Sequence, residues 1–536
     1  MIIGDCDETF NYWEPLNLLL RHFGKQTWEY SPEYSIRSYA YLIPYYIIGN
    51  VAQLVKLKPV EIFYLIRIVG IAGVTSFCEL KFFITMNQFS SDVANWWLVL
   101  SSVSPGMSHG GVALLPSTLA LQCTLLANTY ILKATKDVNS RRLEQNLLKA
   151  IGCYFVGGIL GWPFVLSLGV PVGVYTIGQI ANKSIKTVVL LKIALICLFV
   201  MAPVVLIDSY FLQKFVFVPI NIVLYNVFGG EGEGPDIFGV EPWTYYFVNL
   251  ILNFHLVFPL CIAGILFNPI LCNFKTFSLF VSAQLLIWYT IFFSQPHKEE
   301  RFMYPVYSLI SMSASLFISK FFTTIEKRKI SRPFYLSIKL VFVMGLIILS
   351  SLRIFNLVEN YAAPLKTFNA IAQLEPSLNS QVNVCIGKEW YHFPNSFYLP
   401  DGYRLKFVDS GFDGLLPGDF YESGSIIDST TYIPPQMNNR NQFESDKIIG
   451  LQECDYFIEN SQSNSQPQIL NPDLSTNGDW EILQCDKILN PNGKHSFLGK
   501  VLKTPKFLET LIPNKVEYME FCALKKATAP LLSRAS

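Results

Sequence analysis

Residues 187–207 read TVVLLKIALICLFVMAPVVLI, an apolar stretch in which Lys192 is the only charged side chain. A helix of roughly 20 such residues is long enough to cross the hydrocarbon core of a bilayer. The stretch therefore predicts a spanning helix, and comparable apolar stretches lie along most of the chain. They occupy residues 38–55, 62–84, 93–105, 112–132, 150–180, 187–207, 241–268, 276–293, 301–322 and 334–355. This pattern predicts a polytopic α-helical membrane protein with about ten spans.

Two of these stretches differ from a simple span. The stretch 93–105 is short and ends in Ser104-Pro105-Gly106, which favours a re-entrant segment as an alternative to a full crossing. The stretch 150–180 is long enough for two short spans. Because proline interrupts a helix, we predict a break near Gly161-Trp162-Pro163.

The composition supports the membrane assignment. Of 536 residues, 51% are hydrophobic and only 15% are charged, whereas soluble domains carry about 25% charged residues. The 41 basic and 40 acidic residues nearly cancel, so nothing favours a nucleic-acid partner. The lipid bilayer is the partner that the composition predicts. We find no paired cysteine and histidine spacing of the kind that binds zinc.

Loop charges orient the chain. The short loops 133–149 and 320–332 are rich in lysine and arginine, which places them on the cytosolic side. If 93–132 makes one net crossing and 150–180 makes two, alternation of the spans places residues 1–37, 208–240, 294–300 and 358–536 together on the opposite side. We therefore predict three domains. They are a loop with amphipathic segments at 1–37, a transmembrane helical domain at 38–357 with loops at 208–240 and 294–300, and a C-terminal domain at 358–536.

The C-terminal domain differs in composition from the spans. Its hydrophobicity is lower, and short alternating runs at 381–386 and 404–408 predict strands of a small α/β or α+β domain. Four cysteines lie in it, namely Cys385, Cys454, Cys485 and Cys522. In an oxidising compartment we expect one or two disulfides, and all three pairings stay open.

The first loop carries a dense acidic motif. Residues 4–15 read GDCDETFNYWEP and contain Asp5, Asp7, Glu8 and Glu14 beside three aromatic residues. A carboxylate can take a proton from a sugar hydroxyl, and aromatic faces can pack against the sugar. We interpret the motif as a candidate active site, although loop acids are often only hydrated surface charges. The D-x-D pattern within it can hold a divalent cation elsewhere but is weakly specific.

A second polar motif precedes the span at 301–322. Residues 296–301 read PHKEER, and a helical conformation would place His297 and Arg301 on one face. Lys298 and Arg301 could clamp a lipid phosphate. The alternative is that these side chains anchor the span at the membrane interface.

Other features have weaker interpretations. The glycines of 228–235 lack the G-K-[ST] of a phosphate loop, so the segment is either a flexible lid or a plain loop. We expect His109 and His255 to be core histidines. Glu79 and Lys81 are expected to pair or to reach the interface. The aromatic segment 387–394 either contacts a substrate or is structural.

Several motifs together resemble a known family. They are 4–15, 26–34, 36–41, Gly161-Trp162-Pro163-Phe164, Glu241-Pro242-Trp243 and 297–302. In combination they resemble the α-1,2-mannosyltransferases of asparagine-linked glycosylation, which belong to the GT-C superfamily. The resemblance extends over nearly the whole chain and includes 387–394. Family members carry a membrane helix before the acidic motif, whereas this chain begins three residues before Gly4, so we expect the sequence to lack that helix.

The resemblance implies a reaction and a location. It implies an enzyme of the endoplasmic reticulum membrane with its active site in the lumen, and a C-terminal domain that is also luminal. Such an enzyme transfers mannose from dolichyl-phosphate-mannose to the dolichyl-pyrophosphate-linked oligosaccharide, in α-1,2 linkage. Because the donor is β-linked and the product α-linked, the transfer inverts the anomeric centre and needs one general base.

The resemblance also implies roles for individual residues. Asp7 is expected to be the base, with Glu8 orienting either Asp7 or the acceptor and with Asp5 as the second candidate. His297, Lys298 and Arg301 are expected to hold the donor phosphate. The further substrate-binding residues are expected to be Tyr12, Trp13, Glu14 and Arg37. We expect no cofactor and no metal, because the donor carries a single phosphate.

Two alternatives remain at this point. A glycosylphosphatidylinositol mannosyltransferase would share the Asp-Glu loop, although the spelling of residues 6–15 favours the oligosaccharide acceptor. A membrane transporter without catalysis would belong to another class. Transporters usually show internal repeats and ionisable residues at mid-membrane, and we see no repeat in this sequence.

Overall fold

The computed structural model describes residues 2–230, 232–328, 331–377, 380–461, 480–505 and 515–527. The chain divides into two compact units, each assembled from separate parts of the sequence. The first comprises Met1–Glu33, Tyr45–Leu65 and Leu352–Ser536, and the second comprises Tyr34–Pro44 and Ile66–Ser351. The domain boundaries predicted after residues 37 and 357 stay predictions. They mark where the chain is expected to enter or leave the membrane, whereas the two compact units are defined by packing.

The apolar stretches form helices, as the sequence predicts. Long runs of apolar residues satisfy their backbone hydrogen bonds within a helix, which a bilayer requires. In this region the α-helices are Ile43–Leu54, Pro59–Leu65, Gly73–Phe89, Ser91–Ser102, Pro105–Gly110, Pro116–Ala134, Ser140–Phe155, Val170–Ala181, Val189–Leu212, Val218–Phe228, Tyr245–Phe254, Val257–Leu271, Lys275–Ser294, Tyr307–Glu326 and Arg332–Tyr361. π-Helical segments at Ile66–Ala72 and Val156–Gly161 and 3₁₀ segments at Pro163–Gly169 and Glu300–Val306 extend several of them.

Fewer helices of the described chain are long and apolar enough to be membrane spans than the ten apolar stretches of the sequence suggest. Six helical segments of the described chain are long and apolar enough to cross a membrane, and a bent pair would bring the number to seven. The six are Pro59–Phe89, Pro163–Ala181, Val189–Leu212, Lys275–Ser294, Glu300–Glu326 and Arg332–Tyr361. The bent pair is Tyr245–Phe254 and Val257–Leu271, which turn by 109°. The expected count of about ten spans stays a prediction.

The helix Val189–Leu212 shows why these segments need a membrane. Only 6% of its most apolar window is buried within the protein, and Phe199 is 82% exposed. An exposed apolar surface of this extent needs an apolar surrounding, because water would make it costly. The chain is therefore an integral membrane protein.

The predicted break in 150–180 is confirmed. The helix that starts at Ser140 ends with the π-helical segment Val156–Gly161, and Trp162 adopts an extended conformation before Pro163 starts the next segment. Proline is well suited to the first turn of a helix because that turn leaves its N–H positions unpaired. The stretch 93–105 forms the helix Ser91–Ser102, which ends just before Pro105 starts the short helix Pro105–Gly110.

Small residues let two membrane helices of the second unit approach closely. A Cβ at Gly264 would lie 2.4 Å from the Ser313 Oγ, so only glycine fits between Val257–Leu271 and Tyr307–Glu326. At this contact Ser313 donates to the Cys261 carbonyl at 3.0 Å, and Asn268 donates to the Ser313 carbonyl at 2.9 Å. Interhelical packing of this kind replaces the hydrophobic effect inside a bilayer.

The first unit contains the predicted α/β fold. Its described residues form eight strands, namely β1 (Lys25–Gln26), β2 (Val382–Ile386), β3 (Tyr403–Val408), β4 (Gly418–Asp419), β5 (Ile448–Ile449), β6 (Tyr456–Ser461), β7 (Trp480–Leu489) and β8 (Tyr518–Lys526). Six of them form one mixed sheet in the order β5-β3-β2-β6-β8-β7, parallel from β5 to β6 and antiparallel beyond. Both runs that the sequence predicts as strands are confirmed as β2 and β3. Helices at Cys6–Glu8, Glu14–Arg21, Ala363–Ala372, Ile426–Thr431 and Phe497–Val501 complete the unit.

Two disulfides form in this sheet, which agrees with the expectation of one or two. Cys385 on β2 bonds to Cys454, which lies just before β6, and Cys485 on β7 bonds to Cys522 directly opposite on β8. Cys385, Cys454 and Cys522 belong to the buried core, which also contains Phe457. The pairing that the sequence left open is therefore decided by strand register.

The predicted loop 208–240 is more ordered than expected. The preceding helix continues to Leu212, and a second helix occupies Val218–Phe228. The glycine-rich segment begins only after Phe228. Its Gly234 and Gly239 have φ values of 94° and 118°, a conformation that side chains rarely adopt, so the glycines serve the backbone of this turn.

Candidate active site

The acidic motif folds into a continuous helical segment of the first unit. We use the name acidic turn for residues 5–14. Asp5 caps the short helix Cys6–Glu8 by accepting a hydrogen bond from the Asp7 N–H at 2.9 Å. A π-helical segment, Thr9–Trp13, follows and leads directly into Glu14–Arg21. The cap fixes the backbone on which Asp7 is mounted, because it satisfies a donor that the helix start leaves open.

The two adjacent acids differ in exposure. Glu8 is buried, and its Oε1 accepts a hydrogen bond from the Trp13 Nε1–H at 3.0 Å. Asp7 is partly exposed. A base must reach a proton on a bound substrate, so exposure favours Asp7 over Glu8. Glu8 contacts Trp13, and the role expected of it in orienting Asp7 or the acceptor stays a prediction.

Asp5, Cys6 and Asp7 form a group that could hold a cation. One ligand atom from each lies within 4.8 Å of the others. Mg²⁺ and Ca²⁺ prefer six or more oxygen ligands, whereas this group offers two carboxylates and a thiol. The expected independence from metal stays a prediction.

Glu14 is buried and fully engaged inside the first unit. Its carboxylate accepts the Ser396 N–H at 2.6 Å, the Ser396 hydroxyl at 2.8 Å and the Lys25 N–H at 2.8 Å. Trp13 is also buried, with its ring 4.5 Å from that of Phe63, and Tyr12 is 3% exposed. The role in substrate binding expected of these three residues stays a prediction, and their burial does not favour it.

The acidic turn contacts the aromatic segment 387–394. The Thr9 hydroxyl donates to the carbonyl of Pro394 at 2.8 Å, with a longer contact to the Phe393 carbonyl at 3.2 Å. The Phe10 ring lies 5.8 Å from Trp390 and 6.1 Å from Phe393. Sequence analysis treated the two segments separately, and no local pattern could have joined them.

Arg37 lies in the second unit and is partly exposed. The backbone beside it is held by Asp208, a buried residue near the end of Val189–Leu212. Asp208 accepts the Ser38 hydroxyl at 2.8 Å and the Ala40 N–H at 2.9 Å. The motifs of the sequence do not single out Asp208, and the signal that could have done so is an acid near the end of an apolar span.

The segment around His297 is not helical, so the condition under which His297 and Arg301 would share a helix face is not met. Residues 295–299 precede the 3₁₀ segment Glu300–Val306, and Glu299 is extended. The two side chains nevertheless meet through Glu299. His297 Nε2 lies 2.8 Å from Glu299 Oε1, and Arg301 forms an ion pair with the other oxygen of the same carboxylate.

The imidazole of His297 also contacts Gly239, which lies in the glycine-rich loop that follows Phe228. Its Nδ1 lies 2.7 Å from the Gly239 carbonyl. Burial opposes a positive charge on the ring, but the hydrogen bond and charge of Glu299, together with the Gly239 carbonyl, outweigh it and raise the pKa of His297 above its usual value. A protonated His297 donates to both acceptors.

Lys298 is buried and holds backbone. Its ammonium donates to the carbonyl of Glu241 at 2.9 Å and also to the Gln295 carbonyl, with a longer contact to Pro296 at 3.5 Å. The Glu241 N–H returns a bond to the Pro296 carbonyl at 3.0 Å. Lys298 therefore joins the glycine-rich loop to the His297 segment, and its expected role at the donor phosphate stays a prediction.

Glu300 organises a polar cluster of its own. Its Oε1 lies 2.5 Å from His109 Nε2 and accepts from Asn253 at 2.9 Å and from the Tyr307 hydroxyl at 3.4 Å. His109 is therefore not isolated in apolar surroundings, and its contact with Glu300 agrees with the expectation of a satisfied core histidine. Glu79 and Lys81 bond to other groups, Ser101 at 3.0 Å and Tyr130 at 2.8 Å respectively.

The arrangement of helices is similar to that of a solved structure. The structure of ArnT from Cupriavidus metallidurans bound to undecaprenyl phosphate aligns with a TM-score of 0.52, covering 97% of this chain and 94% of that chain at 10% identity. Such a low identity shows the fold alone. The fold is that of the GT-C glycosyltransferases.

Sequence comparison assigns the family within that class. The model of the Alg9-like mannosyltransferase family matches residues 1–400. The chain is 39% identical to alpha-1,2-mannosyltransferase ALG9 of Saccharomyces cerevisiae, covering 98% of this chain and 95% of the relative. It is 35% identical to ALG9 of Homo sapiens, covering 100% and 87%. The chain belongs to the Alg9-like mannosyltransferase family, and it is a glycosyltransferase.

The same comparisons give less support to the two alternative functions, a glycosylphosphatidylinositol mannosyltransferase and a transporter. GPI mannosyltransferase 3 of Candida albicans is 27% identical over 57% of this chain and 58% of that protein. This partial match is what two branches of one superfamily would show. The assignment to a mannosyltransferase family excludes the interpretation as a transporter without catalysis.

Proposed function

We propose that the chain transfers mannose from dolichyl-phosphate-mannose to the dolichyl-pyrophosphate-linked oligosaccharide in α-1,2 linkage. It does so in the endoplasmic reticulum membrane with its active site facing the lumen. The observation that carries this proposal is the acidic turn, in which a partly exposed Asp7 is mounted on a capped helix start beside buried aromatic residues. The whole-chain similarity to alpha-1,2-mannosyltransferases supports the choice of sugar and linkage.

The reaction needs one proton transfer and one displacement. Asp7 takes the proton from the acceptor hydroxyl, and the resulting oxygen attacks the anomeric carbon of the mannose. The bond from that carbon to the phosphate oxygen breaks on the opposite side, and the electron pair leaves with dolichyl phosphate. The phosphate is a good leaving group without a strong acid, so a single base suffices. Inversion at the anomeric carbon follows from attack opposite the leaving group.

The donor phosphate is assigned to the His297 segment. Arg301 offers a planar guanidinium that suits phosphate oxygens, and His297 carries a raised pKa that favours its charged form. Glu299 contacts both side chains and orients them. Lys298 keeps the adjacent loop in place through backbone carbonyls, which differs from the direct phosphate contact that the family resemblance implies.

One assay tests the proposal. Purified protein is given dolichyl-phosphate-mannose and a defined lipid-linked oligosaccharide, and the product linkage is determined with an α-1,2-specific mannosidase. Wild type, Asp7→Asn and the exposed control Glu33→Gln are compared, each with and without EDTA. We expect transfer by wild type and the control, transfer reduced by roughly 10²–10⁴-fold in Asp7→Asn, and no effect of EDTA. Transfer only to a glycosylphosphatidylinositol acceptor would overturn the proposed acceptor, and loss with EDTA would overturn metal independence.

A further inference from the structure

An aromatic surface lies beside the acidic turn in the first unit. We use the name aromatic shelf for Trp390, Tyr391 and Phe412. Tyr391 is 43% exposed, and Trp390 and Phe412 are partly exposed. The Trp390 ring lies 5.2 Å from Phe412 and 6.1 Å from Tyr391. Large aromatic side chains outside the membrane spans are costly to leave exposed, so a binding role is a reasonable explanation for them.

The backbone of the shelf is held rigidly by other residues. Glu389 accepts from His392 Nδ1 at 2.6 Å, and the His392 N–H donates to the Glu389 carbonyl at 2.8 Å. Phe393 is buried, with its ring 5.3 Å from Phe368. The outward rings of Trp390 and Tyr391 are therefore presented in a fixed orientation. A rigid aromatic surface loses little conformational entropy when a ligand binds.

The shelf is continuous with the residues that carry the proposed chemistry. Phe10 packs against Trp390, and Thr9 is hydrogen-bonded to the Pro394 carbonyl. Thr9 and Phe10 follow Asp7 by two and three residues in one helical segment. The shelf therefore packs directly against the helical segment that carries Asp7.

The chemistry of the shelf fits a carbohydrate. The faces of hexose rings that carry C–H groups pack on aromatic rings, while the hydroxyl groups need polar partners at the edge. Lys388 and Asp413, which are both exposed, flank Trp390 and Phe412 in sequence and can provide such an edge. Burial and the nearby Glu389 raise the pKa of Tyr391 to about 12, so its hydroxyl stays a hydrogen-bond donor.

We propose that the aromatic shelf binds mannose residues of the oligosaccharide acceptor and so helps to select which glycan arm reaches Asp7. This inference rests on the proposed function. It assigns acceptor recognition to a segment of the C-terminal domain, while the acidic turn supplies the base.

The first test separates acceptor binding from chemistry. Initial rates are measured for wild type, Trp390→Ala and Tyr391→Ala, with acceptor varied at saturating donor and then donor varied at saturating acceptor. Losing one stacking ring should raise the KM for acceptor about tenfold, with the KM for donor and kcat changed less than about twofold. Tyr391→Phe keeps the ring and should stay within about threefold of wild type. Tyr421→Ala, which removes a ring that is 41% exposed and packs on Tyr432, should match wild type.

A second measurement uses only the wild-type protein, so it does not depend on whether the variants fold. Wild-type protein is oxidised by hydroxyl radicals with and without a soluble oligomannoside, and labelled peptides are quantified. We expect protection of Trp390 and Tyr391 and no change at Tyr421. The wild type could be active while both alanine variants keep its KM for acceptor, or while the oligomannoside protects neither ring. Either result would overturn acceptor binding by the shelf and would leave the proposed function intact. A wild type that transfers nothing to this acceptor would overturn both.

Discussion

The Ser396 N–H donates to the Glu14 carboxylate at 2.6 Å, although 382 residues separate the two in sequence. The Ser396 hydroxyl and the Lys25 N–H complete the set of donors to the same side chain. The helix Glu14–Arg21 is thereby bound to a turn of the C-terminal domain inside the first unit. The acidic turn precedes this helix directly, so its position depends on the contact.

Replacing Glu14 should destabilise the protein. Glu14→Gln keeps the shape of the side chain but directs an N–H₂ donor at groups that are themselves donors, and buried mismatches of this kind cost about 1–3 kcal/mol. We expect the thermal unfolding midpoint in detergent to fall clearly below that of wild type. Glu33→Gln changes an exposed acid and should leave the midpoint unchanged. Equal midpoints for both variants would show that the Glu14 contacts carry little stability.

The roles of Asp5 and Asp7 can be separated by conservative substitutions. Asp7→Asn removes a base and should lower kcat by roughly 10²–10⁴-fold without changing stability. Asparagine is also a good N-cap, so Asp5→Asn should keep the helix start and most of the activity. The measurement is kcat with saturating donor and acceptor, beside an unfolding midpoint for each variant. A loss confined to Asp5→Asn would make Asp5 the base.

The contact of His297 with the glycine-rich loop should weaken as pH rises. The pKa of His297 is raised in the folded protein above its unfolded value of about 6.5, so the extra stability is fully present below that value. It is lost as pH increases through the folded pKa, because neutral imidazole can donate to only one of its two partners.

Hydrogen exchange can follow this loss. Amides of residues 235–241 should exchange faster at pH 8.5 than at pH 6, after correction for the intrinsic rates. The same comparison in His297→Gln should show no pH-dependent difference, because glutamine does not titrate. A pH-dependent difference of equal size in the variant would assign the effect to another group.

Asp208 should act as an anchor for the motif that contains Arg37. Asp208→Ala removes the acceptor for Ser38 and Ala40 and leaves the Ala40 N–H buried without this partner, at a cost of about 3 kcal/mol. Ser38→Ala removes only one donor and should cost about 1 kcal/mol. The two effects should be less than additive in the double variant, since both remove one bond. Full additivity in unfolding midpoints would contradict a direct contact.

Each disulfide should stabilise the C-terminal sheet. Replacing Cys385 and Cys454 with alanine should destabilise the C-terminal sheet by about 2–4 kcal/mol, as should replacing Cys485 and Cys522. Peptide mapping without reductant should recover these two pairs. Recovery of a different pairing would contradict the strand register observed between β7 and β8.

The broad architecture was accessible from sequence, because the signals are local. An apolar stretch near 20 residues forms a helix in a bilayer whatever its neighbours are, so the positions of the helices followed from hydropathy. Proline at residue 163 marked the break after Trp162, and alternation marked β2 and β3. The acidic motif was visible because four acids stand beside an otherwise apolar chain.

The sequence by itself determined that the apolar stretches form helices, where the strands β2 and β3 form, that the chain belongs in a membrane, and which polar motifs are candidates for chemistry. Only the tertiary structure decided that Glu14 is bound by Ser396, that Thr9 contacts Pro394, that Glu299 joins His297 to Arg301, and which cysteines pair. The physical reason is the separation along the sequence of the residues that interact. Helix and strand formation depends on residues a few positions apart, whereas these contacts depend on how distant segments pack, which no local periodicity encodes.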